Sequence, residues 1–183
     1  MSTSSLAVST PTLVCRVRSA ELESVLQPLV KIFVAAVNEN HGLGFVSPIT
    51  EETGRTYWRS LTHGLDDGTR ILLVASLGDR VVGSGQLSLS MNMNALHRAE
   101  VQKVFVDAGA RGRGVGRALM DALHRTALEH KRTLMILATR VGGGGHKLYR
   151  SMGYQEVGVI PGYSLSADGQ RANSIYLYNE LSV

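Results

Sequence analysis

The stretch AEVQKVFVDAGARGRGVGRALM, Ala99 to Met120, decides how the chain folds. A β-rich run, AEVQKVFV, ends at Asp107 and a glycine- and arginine-rich loop follows, Ala110 to Gly116. Beyond it, Val115, Ala118, Leu119, Ala122, Leu123, Thr126 and Ala127 recur at the i, i+3, i+4, i+7 spacing of an amphipathic helix. Strand, glycine loop and helix start together make a generic phosphate cradle. The first turn of a helix offers unpaired N–H groups and about half a positive charge. Glycines let the backbone approach an anion closely, and Arg111, Arg113 and Arg117 add guanidinium donors. Spacing narrows the ligand. Gly112, Gly114 and Gly116 read GxGxG, which fails the GxGxxG dinucleotide fingerprint, and no GK[ST] follows to make a Walker A loop.

Working outward, LVCRVR (Leu13–Arg18) alternates as a first strand, and Leu22 to Asn38 carries a helical apolar face that Pro28 is expected to kink or break. HGLGFVSP, His41 to Pro48, is a loop whose Leu43 and Phe45 form either a substrate wall or a plain packed connector. Thr50 is placed to cap a second helix that turns Tyr57, Trp58 and Leu61 towards the core. Thr69–Leu77 and Arg80–Ser90 read as a hairpin through Gly78-Asp79, and Arg98–Val106 completes an antiparallel meander. Thr133–Thr139 is nearly continuously apolar, the mark of a central strand. Four glycines, Gly142 to Gly145, precede a short helix at His146–Met152, as a flexible start or for close approach to a ligand arm. Tyr154–Val159 is a sixth strand, IPGYSLSADGQ a turn-rich loop and Ser174–Tyr178 a last strand. The order is that of an α+β fold.

At 183 residues, 44% hydrophobic and 19% charged, the chain is sized for one domain, residues 13–183, behind a disordered Ser/Thr tail over 1–12. No apolar run of about 18 residues suggests a membrane span. The single cysteine, Cys15, excludes an internal disulfide and fits a cytoplasmic location. Eleven basic and four acidic residues lie between Arg98 and Arg150, so this segment carries +7 of a net charge of +4. That local field suits a polyanionic cofactor. Without aromatic interleaving or a nucleic-acid motif it argues against nucleic acid. The six histidines lack metal-ligand spacing.

Arg111, Gly114 and Gly116 fill the pattern [Arg/Gln]-x-x-Gly-x-[Gly/Ala], and LYRSMGY follows at Leu148–Tyr154. In these features the chain resembles the GCN5-related N-acetyltransferases (GNAT). The segments GQLSLS, NALHRAEVQKVFV, ARGRGVGRALMDAL, HKR and GVIPGYSLSADGQ resemble the tabtoxin-resistance type. The resemblance implies a GNAT fold with a mixed sheet of about seven strands and about four helices. It also implies acetyl-CoA as cofactor, a small-molecule amine as acceptor, no metal, and a monomer or homodimer.

By the same resemblance, Val104, Phe105 and Val106 offer backbone groups to the pantetheine arm, with Gly142 and Tyr149 beside it. Arg111, Gly112, Arg113, Gly114, Val115, Gly116 and Arg117 hold the pyrophosphate. Glu100 takes the place of a general base and Tyr149 that of the acid for the leaving thiolate. Phe45, Gln86, Glu100 and Tyr163 are candidates for the acceptor. Two positions depart from the pattern: Ala138 stands where the tabtoxin type has an acid, and Gly142 where many members have asparagine. An acyl-CoA-binding module without transfer activity and a protein or peptide N-acetyltransferase therefore remain as alternatives. An amino-acid-like toxin or antibiotic is one candidate acceptor.

Overall fold

The computed structural model describes residues 11–39, 43–166 and 168–182. The tail expected over residues 1–12 falls almost wholly outside them, and its last residue, Thr12, already begins a strand. In chain order the strands are β1 (Thr12–Val17), β2 (Arg70–Leu77), β3 (Arg80–Leu89), β4 (Arg98–Val106), β5 (Leu134–Arg140), β6 (Gln155–Leu165) and β7 (Arg171–Glu180). The helices are α1 (Leu22–Asn38), α2 (Glu51–Ser60), a single-turn α3 (Thr62–Asp66), α4 (Val115–Glu129) and α5 (Gly144–Ser151). All seven strands join one mixed sheet in the order β1-β2-β3-β4-β5-β7-β6.

The centre of the sheet is buried on both faces, and β2 shows why its sequence, RILLVASL, is nearly all apolar. Ile71 and Leu73 pack with Val115, Leu119 and Leu123 of α4, while Leu72 and Val74 pack with Phe33 of α1 and Trp58 of α2. Trp58 is fully buried, as expected of a core residue. Thr50 caps α2 by accepting a hydrogen bond from Thr53 N at 3.2 Å.

Three expectations need correction. Pro28 does not break α1, which runs continuously from Leu22 to Asn38. Its ring removes one backbone bond, while Leu26, Leu29, Val30 and Phe33 are buried on either side of it, and that packing outweighs the loss. IPGYSLSADGQ is not mainly a loop. β6 continues through Ile160–Leu165 and pairs again at Ser164↔Ala172 and Leu165↔Arg171. A break in register around Pro161 and Gly162 absorbs the residues that read as a turn, Gly162 having φ +62°. The last strand accordingly spans Arg171–Glu180 rather than Ser174–Tyr178.

Candidate active site

Two irregularities in the sheet open a cleft at its centre. β4 and β5 are parallel neighbours only over Arg98–Glu100 and Leu134–Ile136, after which they diverge. Beyond Glu100, β4 keeps its pairing to β3 but turns its other edge to open space. The second irregularity is a bulge within β4. Gln86↔Gln102 is followed by Ser84↔Phe105, so Lys103 and Val104 together face Gly85, with Lys103 at φ +50°. The extra residue shifts the alternation. Val101 packs on the α4 side, whereas Phe105 joins Phe33 and Trp58 on the α1–α2 side.

A cavity of about 740 Å³ fills this opening. At one end lies the glycine loop. Gly112 and Gly114 adopt φ +75° and +80°, and a Cβ added at either would meet no protein atom within 4 Å. Both glycines also line the cavity, so the space above them opens into it. Gly114 stands at the N-cap of α4, so no side chain caps that helix, and its first turn holds no acid. Its N–H groups and partial positive charge are thus available to an anion. Arg111 bends back, donating to Val106 O at 3.2 Å and pairing with Glu39 at 2.6 Å. Arg117 donates to Ser151 Oγ at 3.1 Å, pinning α4 to α5. Of the residues assigned to the pyrophosphate, Arg111, Gly112, Gly114, Val115 and Gly116 line the cavity. These features fit a phosphate-bearing cofactor.

The middle of the cavity is walled by Val104, Phe105 and Val106, with Gly144, Gly145 and Leu148 of α5 opposite. Gly142 lies outside this lining, its N–H donating to His146 Nδ1 at 3.1 Å. The close approach in the glycine run falls at Gly145, where a Cβ would lie 3.3 Å from Tyr149 Cε2. Tyr149 itself is buried, lines the cavity and packs its ring 5.7 Å from Tyr154. Burial drives its phenol well above the usual value, so it stays protonated through neutral and mildly alkaline pH.

At the far end, Glu100, Gln102, Lys103, Ala138 and Tyr163 border the same cavity. Glu100 forms no ion pair with Arg98 or Lys103 among the described residues. Its charge reaches Lys103 and the Tyr176 hydroxyl, which shares a 2.6 Å hydrogen bond with Tyr163. Phe45 stands behind this wall, with its ring 5.4 Å from Tyr57 and 5.8 Å from Lys103 Nζ. Gln86 is fully buried one strand further in, accepting from Tyr57 Oη and Arg70 Nη1, both at 3.1 Å. Gln102 and Lys103 were not among the candidates, although these adjacent polar residues break the polar–apolar alternation of β4.

A parallel pair of strands splayed around a cofactor-sized cleft, with a glycine loop feeding a helix start at its mouth, defines the GNAT class of fold. Residues 68–156 match the family model described as an acetyltransferase (GNAT) domain. Among solved structures, ribosomal-protein-alanine N-acetyltransferase of Brucella melitensis is 26% identical with a TM-score of 0.75, over 92% of this chain and 99% of that one. A putative acetyltransferase of Salmonella typhimurium with its cofactor acetyl-CoA superposes with a TM-score of 0.74 at 14% identity, over 94% of this chain and 95% of that one. N-acetylaspartate synthetase of Xenopus tropicalis is 36% identical over 62 residues, which are 33% of this chain and 23% of that protein. The match thus spans under a quarter of that relative. Among the described residues, no helix is long and apolar enough to cross a membrane.

Proposed function

We propose that the protein moves an acetyl group from acetyl-CoA directly to the amine of a small molecule, with Glu100 as general base and Tyr149 as proton donor to the leaving sulfur. The observation that carries this reading is the continuity of one cavity from the Arg111–Gly116 loop, past Val104–Val106, to both Tyr149 and Glu100. The tabtoxin-resistance resemblance and the synthetase match to an aspartate-acetylating relative support a small acceptor. The Brucella enzyme, by its name, favours a protein N-terminus as the second reading.

Acetyl-CoA supplies an activated acyl carbon joined to a sulfur leaving group. The chain's residues supply the rest. An alkylamine with a pKa near 10.4 is mostly protonated at neutral pH, and reaching the neutral form costs about 4–5 kcal/mol. Glu100, at the acceptor end of the cavity, is placed to receive that proton directly or through water. Backbone N–H groups on the open edge of β4 are available to polarise the carbonyl oxygen. The Tyr149 hydroxyl is a hydrogen-bond donor for the departing sulfur. Burial keeps that hydroxyl protonated through neutral pH.

Thiol release is the test, run with acetyl-CoA and two acceptor sets, small amines and peptides bearing a free N-terminal alanine. Faster turnover of small amines supports the proposal. Turnover confined to peptides overturns it in favour of the second reading, and CoA affinity without turnover leaves a binding module.

A further inference from the structure

The acceptor end of the cavity is crowded with cationic donors that no protein acid neutralises. Arg70, on β2, places Nη1 2.8 Å from Gln102 Oε1 and 3.1 Å from Gln86 Oε1. Lys103 Nζ rests over the Tyr57 ring at 5.4 Å and the Phe45 ring at 5.8 Å. Aromatic faces stabilise an ammonium but accept no conventional hydrogen bond from it. Among the described residues, which include every Asp and Glu of the chain, none forms an ion pair with Arg70 or Lys103. Glu100 acts on Lys103 only from beyond contact, and burial and the Arg70 charge outweigh it, holding the ammonium below its usual pKa.

The amides add to the excess. A guanidinium only donates, so the atoms facing Arg70 on Gln86 and Gln102 are their carbonyl oxygens. Gln86 Nε2 is consequently left buried without a partner. Gln102, whose oxygen is held by Arg70, keeps its amide N–H groups free at the wall of the cavity. Donors outnumber acceptors here on two side chains that line the cavity, Gln102 and Lys103, beside Glu100. An acceptor-rich ligand group is the natural complement of these unmatched donors.

We propose that Lys103 and the Gln102 amide, the latter oriented by Arg70, bind a carboxylate of the acceptor, so that the substrate is an amino-acid-like amine whose anionic group sits on Lys103 while its nitrogen faces Glu100. This rests on the small-molecule reading above and narrows it. Lys103 and Gln102 are binding residues, and Arg70 is a positioning residue acting through Gln102. No bond is made or broken in the subsite.

The test compares aspartate, glutamate, methionine and phenylalanine with their α-amides, measuring both thiol release and equilibrium binding in the presence of CoA. The amides are less basic amines, so without a carboxylate subsite they are the better substrates at neutral pH. The expected result is at least a tenfold preference in kcat/KM for one or more acids. Lys103→Met should remove it mainly through KM, and Lys103→Arg should restore part of it. Gln102→Glu, which keeps a partner for Arg70, should penalise acid more than amide, and unchanged CoA affinity certifies that each variant is folded. Equal use of acid and amide overturns the subsite while acetyl transfer stands. Carboxylate binding that weakens in Lys103→Met without turnover of any amine upholds the subsite and overturns transfer. Neither binding nor turnover of any carboxylate in the panel overturns the subsite.

Discussion

Replacing Gly114 by alanine separates the cradle's two demands on glycine. The first is conformational: Gly114 sits at φ +80°, ψ 0°, where an L-residue pays about 1–2 kcal/mol. For a domain of this size that lowers the Tm by roughly 2–8 °C. The second is space. A Cβ there meets no protein atom within 4 Å, so any further loss must come from what enters the cleft. Displacing one hydrogen bond between the α4 N-terminus and a pyrophosphate costs about 1.5–3 kcal/mol, which is roughly 10- to 150-fold in acetyl-CoA affinity. Gly78→Ala is the control, since Gly78 has φ +58° and equally open surroundings but belongs to the β2–β3 hairpin. Calorimetric titration of acetyl-CoA and thermal melts on the two variants form the assay. A similar Tm loss in both, with weakened affinity only in Gly114→Ala, is expected. Affinity retained within about twofold in a folded Gly114→Ala protein would refute the cradle.

Glu100→Gln should depress kcat/KM most at neutral pH and recover as pH approaches the amine's own pKa; a loss uniform with pH in the rate profile would point to a structural role instead. Tyr149→Phe keeps the packed ring, so it should lower kcat by about 100-fold, the low end for an acid catalyst, with acetyl-CoA affinity nearly unchanged. Full kcat in that folded variant removes Tyr149 from the mechanism. Burial lowers the His124 pKa despite Asp121, and its ring bonds Tyr154 Oη at 2.9 Å. The unfolded chain therefore takes up the proton first, and stability is lost as pH falls below about 6.5, by at most about 1.4 kcal/mol per unit. His124→Gln should flatten that slope in denaturant titrations between pH 7 and 5, and identical slopes would contradict the assignment.

The parts of the site fixed by local chemistry were legible in the sequence. The loop at Arg111–Gly116, the helix behind it and the central strand at Leu134–Arg140 each follow from spacing and apolar pattern, and the meander followed from the Gly78-Asp79 hairpin. What the sequence did not announce depends on register. The bulge at Lys103 changes which face each β4 side chain meets, and its one local mark, the adjacent polar pair Gln102-Lys103, does not by itself fix the register. That is why Phe105, expected only to offer its backbone to the cofactor, also packs with Trp58, and why Lys103 and Gln102 went unremarked. Pro161 and Gly162 misled for the opposite reason. They carry turn chemistry, yet at an edge strand a proline and a positive-φ glycine can be absorbed as an irregularity. Gln86, expected among the acceptor candidates, is fully buried one strand behind the cavity, a matter of depth that a linear pattern does not encode.

Whether one cleft brings acetyl-CoA and a small amine together at Glu100 is decided by initial rates of thiol release. Wild-type and Glu100→Gln protein are compared at saturating acetyl-CoA across a series of small amines and amino acids. The expected result is amine-dependent, saturable CoA release by the wild type that falls at neutral pH in Glu100→Gln while acetyl-CoA affinity is preserved. Release that is independent of every amine, or equal in the two proteins, would contradict it.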